Sequence, residues 1–170
     1  NLVIHVGDIL VDGQYDGLFT AFQRVNGVYI ETPGTVISTL ASRLYGANNS
    51  PTIRSALLIC GLADNGSGYI AKMNTSGSLV WETTTTQAAT LYDIVEDSMG
   101  NIVAVGYSGA DAFMVKLDQS GNILASKTFD GGAGANDRFY GIAVSDNSEL
   151  VMVGYTEDAN GDKNGCCLLY

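Results

Sequence analysis

Leu150-Val151-Met152-Val153-Gly154-Tyr155-Thr156 is an apolar run that stops at a glycine and continues into a tyrosine and a hydroxylated residue. Val103-Ala104-Val105-Gly106-Tyr107-Ser108 repeats it type for type, and Leu58-Ile59-Cys60-Gly61 repeats its first half. A fainter copy stands at Val3-Ile4-His5-Val6-Gly7. The four glycines are roughly 45 to 55 residues apart, a period that means an array of supersecondary units. Apolar runs this short, bounded by turn residues, read as buried strands rather than helices. A glycine closing such a strand marks a place where strands crowd or the chain bends, so that a side chain would not fit.

Other markers keep step with the glycine. Tyr69-Ile70-Ala71-Lys72-Met73-Asn74-Thr75-Ser76-Gly77 matches Phe113-Met114-Val115-Lys116-Leu117-Asp118-Gln119-Ser120-Gly121 position by position. Leu18 to Gly27 is a looser copy, and Cys166-Cys167-Leu168-Leu169-Tyr170 opens another. A further apolar run follows each complete copy, at Val28-Tyr29-Ile30, Leu79-Val80-Trp81 and Ile123-Leu124-Ala125. Another precedes the glycine run, at Leu91-Tyr92-Asp93-Ile94-Val95 and Phe139-Tyr140-Gly141-Ile142-Ala143-Val144. Asn26-Gly27, Ser76-Gly77, Ser120-Gly121 and Met99-Gly100-Asn101 are hairpin connections, because Gly and Asn tolerate the positive φ that tight turns need. Ser38 to Tyr45, the best helical candidate, is short and rich in Ser and Thr, and reads as loop and strand.

Four short antiparallel strands per repeat define the expected fold. It is all-β: a β-propeller of four-stranded antiparallel blades, with three to four blade units in this chain and incomplete end blades. The units run over about 1–40, 41–88, 89–130 and 131–170 of a single domain spanning 1–170. With strand a innermost, a is Phe139 to Val144, b is Leu150 to Gly154, c is Phe113 to Leu117 and d is Ile123 to Thr128. In this frame the chain begins within strand b and stops within strand c. That implies an excised piece, a segment of a larger ring, or copies that complete each other as a homo-oligomer. Thr83-Thr84-Thr85-Thr86 is expected to be an outer strand with a polar face.

Composition narrows the function classes. The 170 residues are 46% hydrophobic but only 15% charged, with 21 Gly and 2 Pro, enough apolar material for one core and many turns. The net charge of −10 disfavours nucleic-acid binding, which needs a basic surface to displace counterions. It disfavours anionic lipid for the same reason. No apolar run approaches the length of a membrane span. Of the 3 cysteines, Cys60 falls in a strand as a buried thiol. Cys166 and Cys167 are strand neighbours that point to opposite faces, which makes a vicinal disulfide a strained arrangement.

The segment Asp111-Ala112-Phe113-Met114-Val115-Lys116-Leu117-Asp118-Gln119-Ser120-Gly121-Asn122 continues through Gly131-Gly132 and Asn136-Asp137-Arg138 to Val151-Met152-Val153-Gly154-Tyr155-Thr156. It resembles the bacterial β-propeller repeat called the SBBP repeat, which reads D-A-F-V-x-K-L-D-x-x-G-N, then a strand with Trp, then G-G, D-x-x and V-x-G-x-T. The resemblance covers about residues 55–170. Trp81 supplies the Trp in one unit; Ala125 replaces it in the next, and the G-G pair is missing after Trp81. The resemblance implies a propeller in secreted, surface-attached or virion-associated proteins, and no catalytic residues.

Candidate sites follow from chemistry. Asp158, Asn160 and Asp162 place oxygens at alternate positions, as in the first half of a calcium loop, and calcium is the cofactor they would take. The motif lacks the glycine where Lys163 stands and the bidentate Glu where Leu169 stands, and the same residues also make a polar hairpin. Tyr107 and Tyr155 end equivalent strands and are binding candidates, either stacking on sugars or anchoring an interface, with inter-blade packing as the other reading. His5 is the only histidine, and no G-x-S-x-G elbow accompanies it. Gly131-Gly132-Ala133-Gly134 precedes a strand rather than the helix a phosphate cradle requires. The expected function is a non-enzymatic extracellular module, at a cell surface or on a virion, for structural assembly or for binding protein or glycan. The rival is a carbohydrate-active enzyme, glycosidase or lyase, using Asp93, Asp97, Asp137 and Asp146 at a central channel. Asp93 and Asp137 read more simply as turn caps.

Overall fold

The structure is a computed structural model. It describes the backbone of residues 2–11, 14–25, 28–31, 35–38, 41–49, 56–74, 78–132 and 134–170, and the side chains of residues 43–48, 56–74, 78–132 and 134–170. Among the described residues, fifteen strands form four antiparallel sheets. Sheet one holds β1 (Leu2–Val11), β2 (Gln14–Val25) and β3 (Val28–Glu31) in that order, with β4 (Thr35–Ser38) also paired to β2. Sheet two is β5 (Ala41–Asn49), β6 (Ala56–Ala63), β7 (Ser67–Asn74) and β8 (Leu79–Ala88). Sheet three is β9 (Thr90–Glu96), β10 (Ile102–Ser108), β11 (Asp111–Leu117) and β12 (Ile123–Phe129). Sheet four is β13 (Arg138–Val144), β14 (Leu150–Glu157) and β15 (Lys163–Leu169). The segment Ser38 to Tyr45 contributes the end of β4 and the start of β5, as its Ser and Thr content indicates. The turns expected at Asn26-Gly27 and Ser76-Gly77 lie outside the described residues, as does the side chain of His5.

The hairpins share one device. Asp97, Asp118 and Asp158 each open a turn whose fourth residue is Gly100, Gly121 or Gly161, at φ of 81°, 86° and 85°. In each, the carboxylate accepts two backbone N–H groups: Met99 and Asn101 on Asp97, Ser120 and Asn122 on Asp118, Asn160 and Asp162 on Asp158. A side chain bonding its own turn in this way is what makes Asp a turn former. Where β13 turns into β14, Ser145 takes the Asp position and Ser148, at φ 67°, takes the glycine position.

Strands buried on both faces explain the unbroken apolar runs. In β6, Leu57 and Ile59 join a cluster with Leu44, Tyr69, Ala71 and Met73, while Leu58 and Cys60 join the layer shared with sheet three. Leu91, Ile94, Ile102 and Ala104 complete that layer from the sheet-three side. Val103, Val105 and Met114 then meet Phe139, Ile142, Leu150 and Met152 of sheet four. The sheets thus stack face to face in chain order, with β5, β9 and β13 beside one another and β1 and β2 against β5. No helix among the described residues is long and apolar enough to cross a membrane.

The repeated glycine has a specific cause. In each of the last three sheets the first strand bulges against the second, between Leu44 and Gly46, between Leu91 and Asp93, and between Phe139 and Gly141. The extra residue is Tyr45, Tyr92 or Tyr140. A bulge twists its strand and pushes backbone toward the partner. A Cβ on Gly61, Gly106 or Gly154 would lie 1.9, 1.8 or 1.8 Å from the carbonyl oxygen of Arg43, Thr90 or Arg138. Only hydrogen fits there. Gly106→Ala is therefore expected to destabilise the fold by about 3 kcal/mol or more, the range reserved for backbone overlap. Gly165→Ala, whose added methyl meets nothing within 4 Å, should stay within about 0.5 kcal/mol of the parent in urea unfolding.

Candidate binding site at the inner strands

The three bulges do more than crowd a glycine. They lift one tyrosine per sheet out of the strand alternation, at β5, β9 and β13, which lie side by side. The ring of Tyr92 sits 5.3 Å from Tyr45 and 5.0 Å from Tyr140. Tyr107 joins at 5.9 Å from Tyr92, and Tyr155 at 6.0 Å from Tyr140. Edge and tilted contacts at these separations are the favourable arrangements of aromatic quadrupoles. Tyr45 remains 41% and Tyr140 52% exposed, so the cluster is a surface and not a core.

Cations flank it. The Arg138 guanidinium lies 3.8 Å over the Tyr107 ring, and Lys163 Nζ lies 4.4 Å over Tyr155. Arg138 is fixed in that pose, donating from Nη1 to the carbonyls of Ala110 and Asp137 and from Nη2 to Asn136 Oδ1. Backbone ties hold the inner strands in place: Asn48 Nδ2 donates to the Ile94 carbonyl, and Ile142 N–H donates to Asp93 Oδ2. Burial, then the neighbouring phenols of Tyr107, Tyr140 and Tyr45, push the Tyr92 hydroxyl up to about 12 against the opposing charge of Arg138. Tyr92 is thus a neutral donor over the whole physiological range.

Tyr107 and Tyr155, singled out from sequence, belong to this cluster. Tyr45, Tyr92 and Tyr140 were not singled out, although Leu44-Tyr45-Gly46, Leu91-Tyr92-Asp93 and Phe139-Tyr140-Gly141 repeat an apolar-Tyr-small/acidic triplet that would have shown them. Asp158, Asn160 and Asp162 sit in the β14–β15 hairpin, where Asp158 Oδ1 accepts the N–H groups of Asn160 and Asp162. Those bonds, that from Asp162 foremost, hold the Asp158 carboxyl below the usual carboxylate range.

Of the four acids named for a catalytic role, Asp93, Asp97 and Asp137 accept from backbone N–H groups. Asp93 accepts from Ile142 and Ile94 N–H, and Asp137 from Gly131 and Glu157 N–H. Asp97 holds its turn and pairs with Lys116 at 2.7 Å. Burial acts against its charge, but Lys116 and Asn101 hold its carboxyl below the usual range. Asp146 is exposed in the Ser145–Ser148 turn. Among the described residues, oxygens of Asp111, Asp130 and Asp137 converge within 4.8 Å. Asp137 in that trio already spends both oxygens on backbone donors. Thr83 and Thr85, expected on a polar outer face, instead bond inward: Thr83 Oγ1 donates to the Gly121 carbonyl, and Thr85 accepts from Gly68 N–H. Cys60, Cys166 and Cys167 are free thiols.

No protein-family model matches the chain, and no curated protein matches it. Solved structures do. A protein of unknown function from Bacteroides caccae aligns with a TM-score of 0.58 at 9% identity over 97% of this chain. A structure described as the Dos1 propeller aligns at 0.57 and 10% identity over 96%. The chain spans 57% and 44% of the lengths of these two neighbours. The fold is thus all-β and propeller-like, with the described residues forming three antiparallel four-stranded sheets and one of three strands.

The raised phenol makes a measurable prediction. Because the folded-state value lies above the ordinary 10.0, the stability it contributes is whole below about pH 10 and fades as pH climbs toward about 12. The urea midpoint should therefore decline above pH 10, and Tyr92→Phe should flatten that decline while removing a phenol that titrates near 12 from the ultraviolet difference spectrum.

Proposed function

We propose that the chain is part of a β-propeller of the SBBP-repeat kind and serves as a non-enzymatic recognition module on an extracellular surface, cellular or viral. Its ligand is a glycan, held on the tyrosine cluster of the inner strands. The observation that carries this reading is the joining of five tyrosines from three consecutive sheets into one exposed, cation-flanked patch. Ring faces and edges stack on the C–H faces of pyranoses, and neutral phenols exchange hydrogen bonds with sugar hydroxyls. The net charge of −10 favours neutral or cationic ligands over polyanions. The rival reading, a glycosidase or lyase, needs a carboxylate pair free to face substrate. Asp93, Asp97 and Asp137 give their oxygens to backbone donors, which supports the binding reading.

Glycan-array screening followed by calorimetry tests it. Tyr140→Ala and Tyr45→Ala should each weaken binding roughly tenfold, the worth of one stacking ring, without lowering the unfolding free energy by more than about 1 kcal/mol. A parent protein that retains no glycan and binds a protein instead, or variants that bind as the parent does, would sink the glycan reading.

A further inference from the structure

The sequence holds three Asn-x-Ser/Thr triplets: Asn48-Asn49-Ser50, Asn65-Gly66-Ser67 and Asn74-Thr75-Ser76. Each is an acceptor pattern for an N-linked glycan in a chain that enters the secretory route. The pattern does not choose among them; the surroundings of each asparagine do. Asn48 Nδ2 lies 3.1 Å from the Ile94 carbonyl, to which it donates from sheet two to sheet three. A sugar on that nitrogen would be pressed against the backbone of β9. Asn74 is half-buried at the end of β7, where its Oδ1 accepts the Ser78 N–H. Thr75 and Ser76, which complete its triplet, lie outside the described residues.

Asn65 differs on each count. It is exposed in the β6–β7 hairpin, next to Gly66, which turns the chain at φ 82° and donates its N–H to the Ala63 carbonyl. Asn65 Oδ1 accepts the Ser67 N–H at 2.9 Å, and among the described residues nothing is bonded to its Nδ2. Glycosylation substitutes the nitrogen and leaves the oxygen as an acceptor, so the bond that fixes this turn survives the modification. There is also room for the sugar. A pocket of about 220 Å³ opens beside Gly66, lined by Ala88, Ala89, Thr90, Tyr107 and Gly109. It offers the first sugar small residues to lie over and one aromatic wall.

We propose that Asn65 is a glycosylation site and carries an N-linked oligosaccharide. In the step that attaches it, Asn65 Nδ2 bonds to C1 of an oligosaccharide carried on a lipid diphosphate. The C1–O bond to the diphosphate breaks, the lipid diphosphate leaves with the electron pair, and the amide proton passes to a carboxylate of the transferase. The inference rests on the extracellular part of the proposed function, because the transferase works on chains entering the secretory route. It does not depend on what the tyrosine cluster binds.

Peptide mapping by mass spectrometry tests it, on the full chain secreted from eukaryotic cells behind a cleavable leader and on the native protein. An amidase that removes N-linked glycans in heavy-oxygen water turns each occupied asparagine into a tagged aspartate. Asn65 should be tagged in most chains, and Asn48 and Asn74 at least roughly tenfold less. Ser67→Ala keeps Asn65 but removes the hydroxyl of the acceptor pattern, and should abolish the tag; Ser67→Thr should retain it. Neither should move the urea midpoint. An untagged Asn65 in the secreted chain, or a tag as heavy on Asn48 or Asn74, overturns the proposal. Recovery of the native protein from the cytosol alone sinks the extracellular reading and this inference with it. An extracellular native protein whose Asn65 is untagged sinks this inference only.

Discussion

The contact between a bulged inner strand and the glycine beside it governs the rest of the molecule. At Gly106 the carbonyl of Thr90 occupies the space where a Cβ would stand, and the same holds for Gly154 with Arg138 and Gly61 with Arg43. Two backbones approach this closely only because the first strand of each of the last three sheets carries one residue too many. The bulge twists the strand where β5, β9 and β13 must lie side by side, and the surplus residue, denied a place in the alternation, is presented to solvent. Strand geometry and the tyrosine cluster are therefore one feature seen from two sides.

The layers between sheets are held by different means. Between sheets two and three the contact is locked at its rim by Gln119: its side chain accepts from Lys72 Nζ and donates to Glu96 and to the Gly100 carbonyl, while its own backbone carbonyl accepts from Trp81 Nε1. Trp81 also packs on Gly121, where a side chain would collide with the indole. Sheet three has Ala125 at the position of Trp81, by the register Lys72↔Trp81 and Lys116↔Ala125. The next interface relies instead on Phe129 against Phe139 and on Ala110, whose carbonyl accepts from Asp137 N–H and Arg138. The departure from the repeat pattern thus coincides with a change in how one sheet grips the next.

Much of this was legible in one dimension. Apolar runs ending in Gly61, Gly106 and Gly154 located the second strand of the last three sheets, and Met99-Gly100-Asn101 and Ser120-Gly121 located hairpins, because a turn with positive φ admits few residues. Tyr107 and Tyr155 were visible as equivalent strand ends. The other three rings were harder to see. A tyrosine inside a strand ordinarily points to one face or the other, and nothing in Leu91-Tyr92-Asp93 by itself announces the extra residue. Thr83 and Thr85 lie on the outer strand as expected but face inward: a Thr run reads as an exposed edge until the next sheet supplies the Gly121 carbonyl for Thr83 and the adjoining β7 the Gly68 N–H for Thr85.

Local chemistry therefore determined the strands, their turns and their period, since these depend on residues within a few positions of each other. The pairing of sheet faces, the gathering of Tyr45, Tyr92, Tyr107, Tyr140 and Tyr155 into one surface, and the choice of the Ile142 N–H as a donor to Asp93 were decided only in three dimensions. Each depends on groups brought together from sheets tens of residues apart. Which face of a sheet is covered, and by what, is a property of the stack and not of the strand.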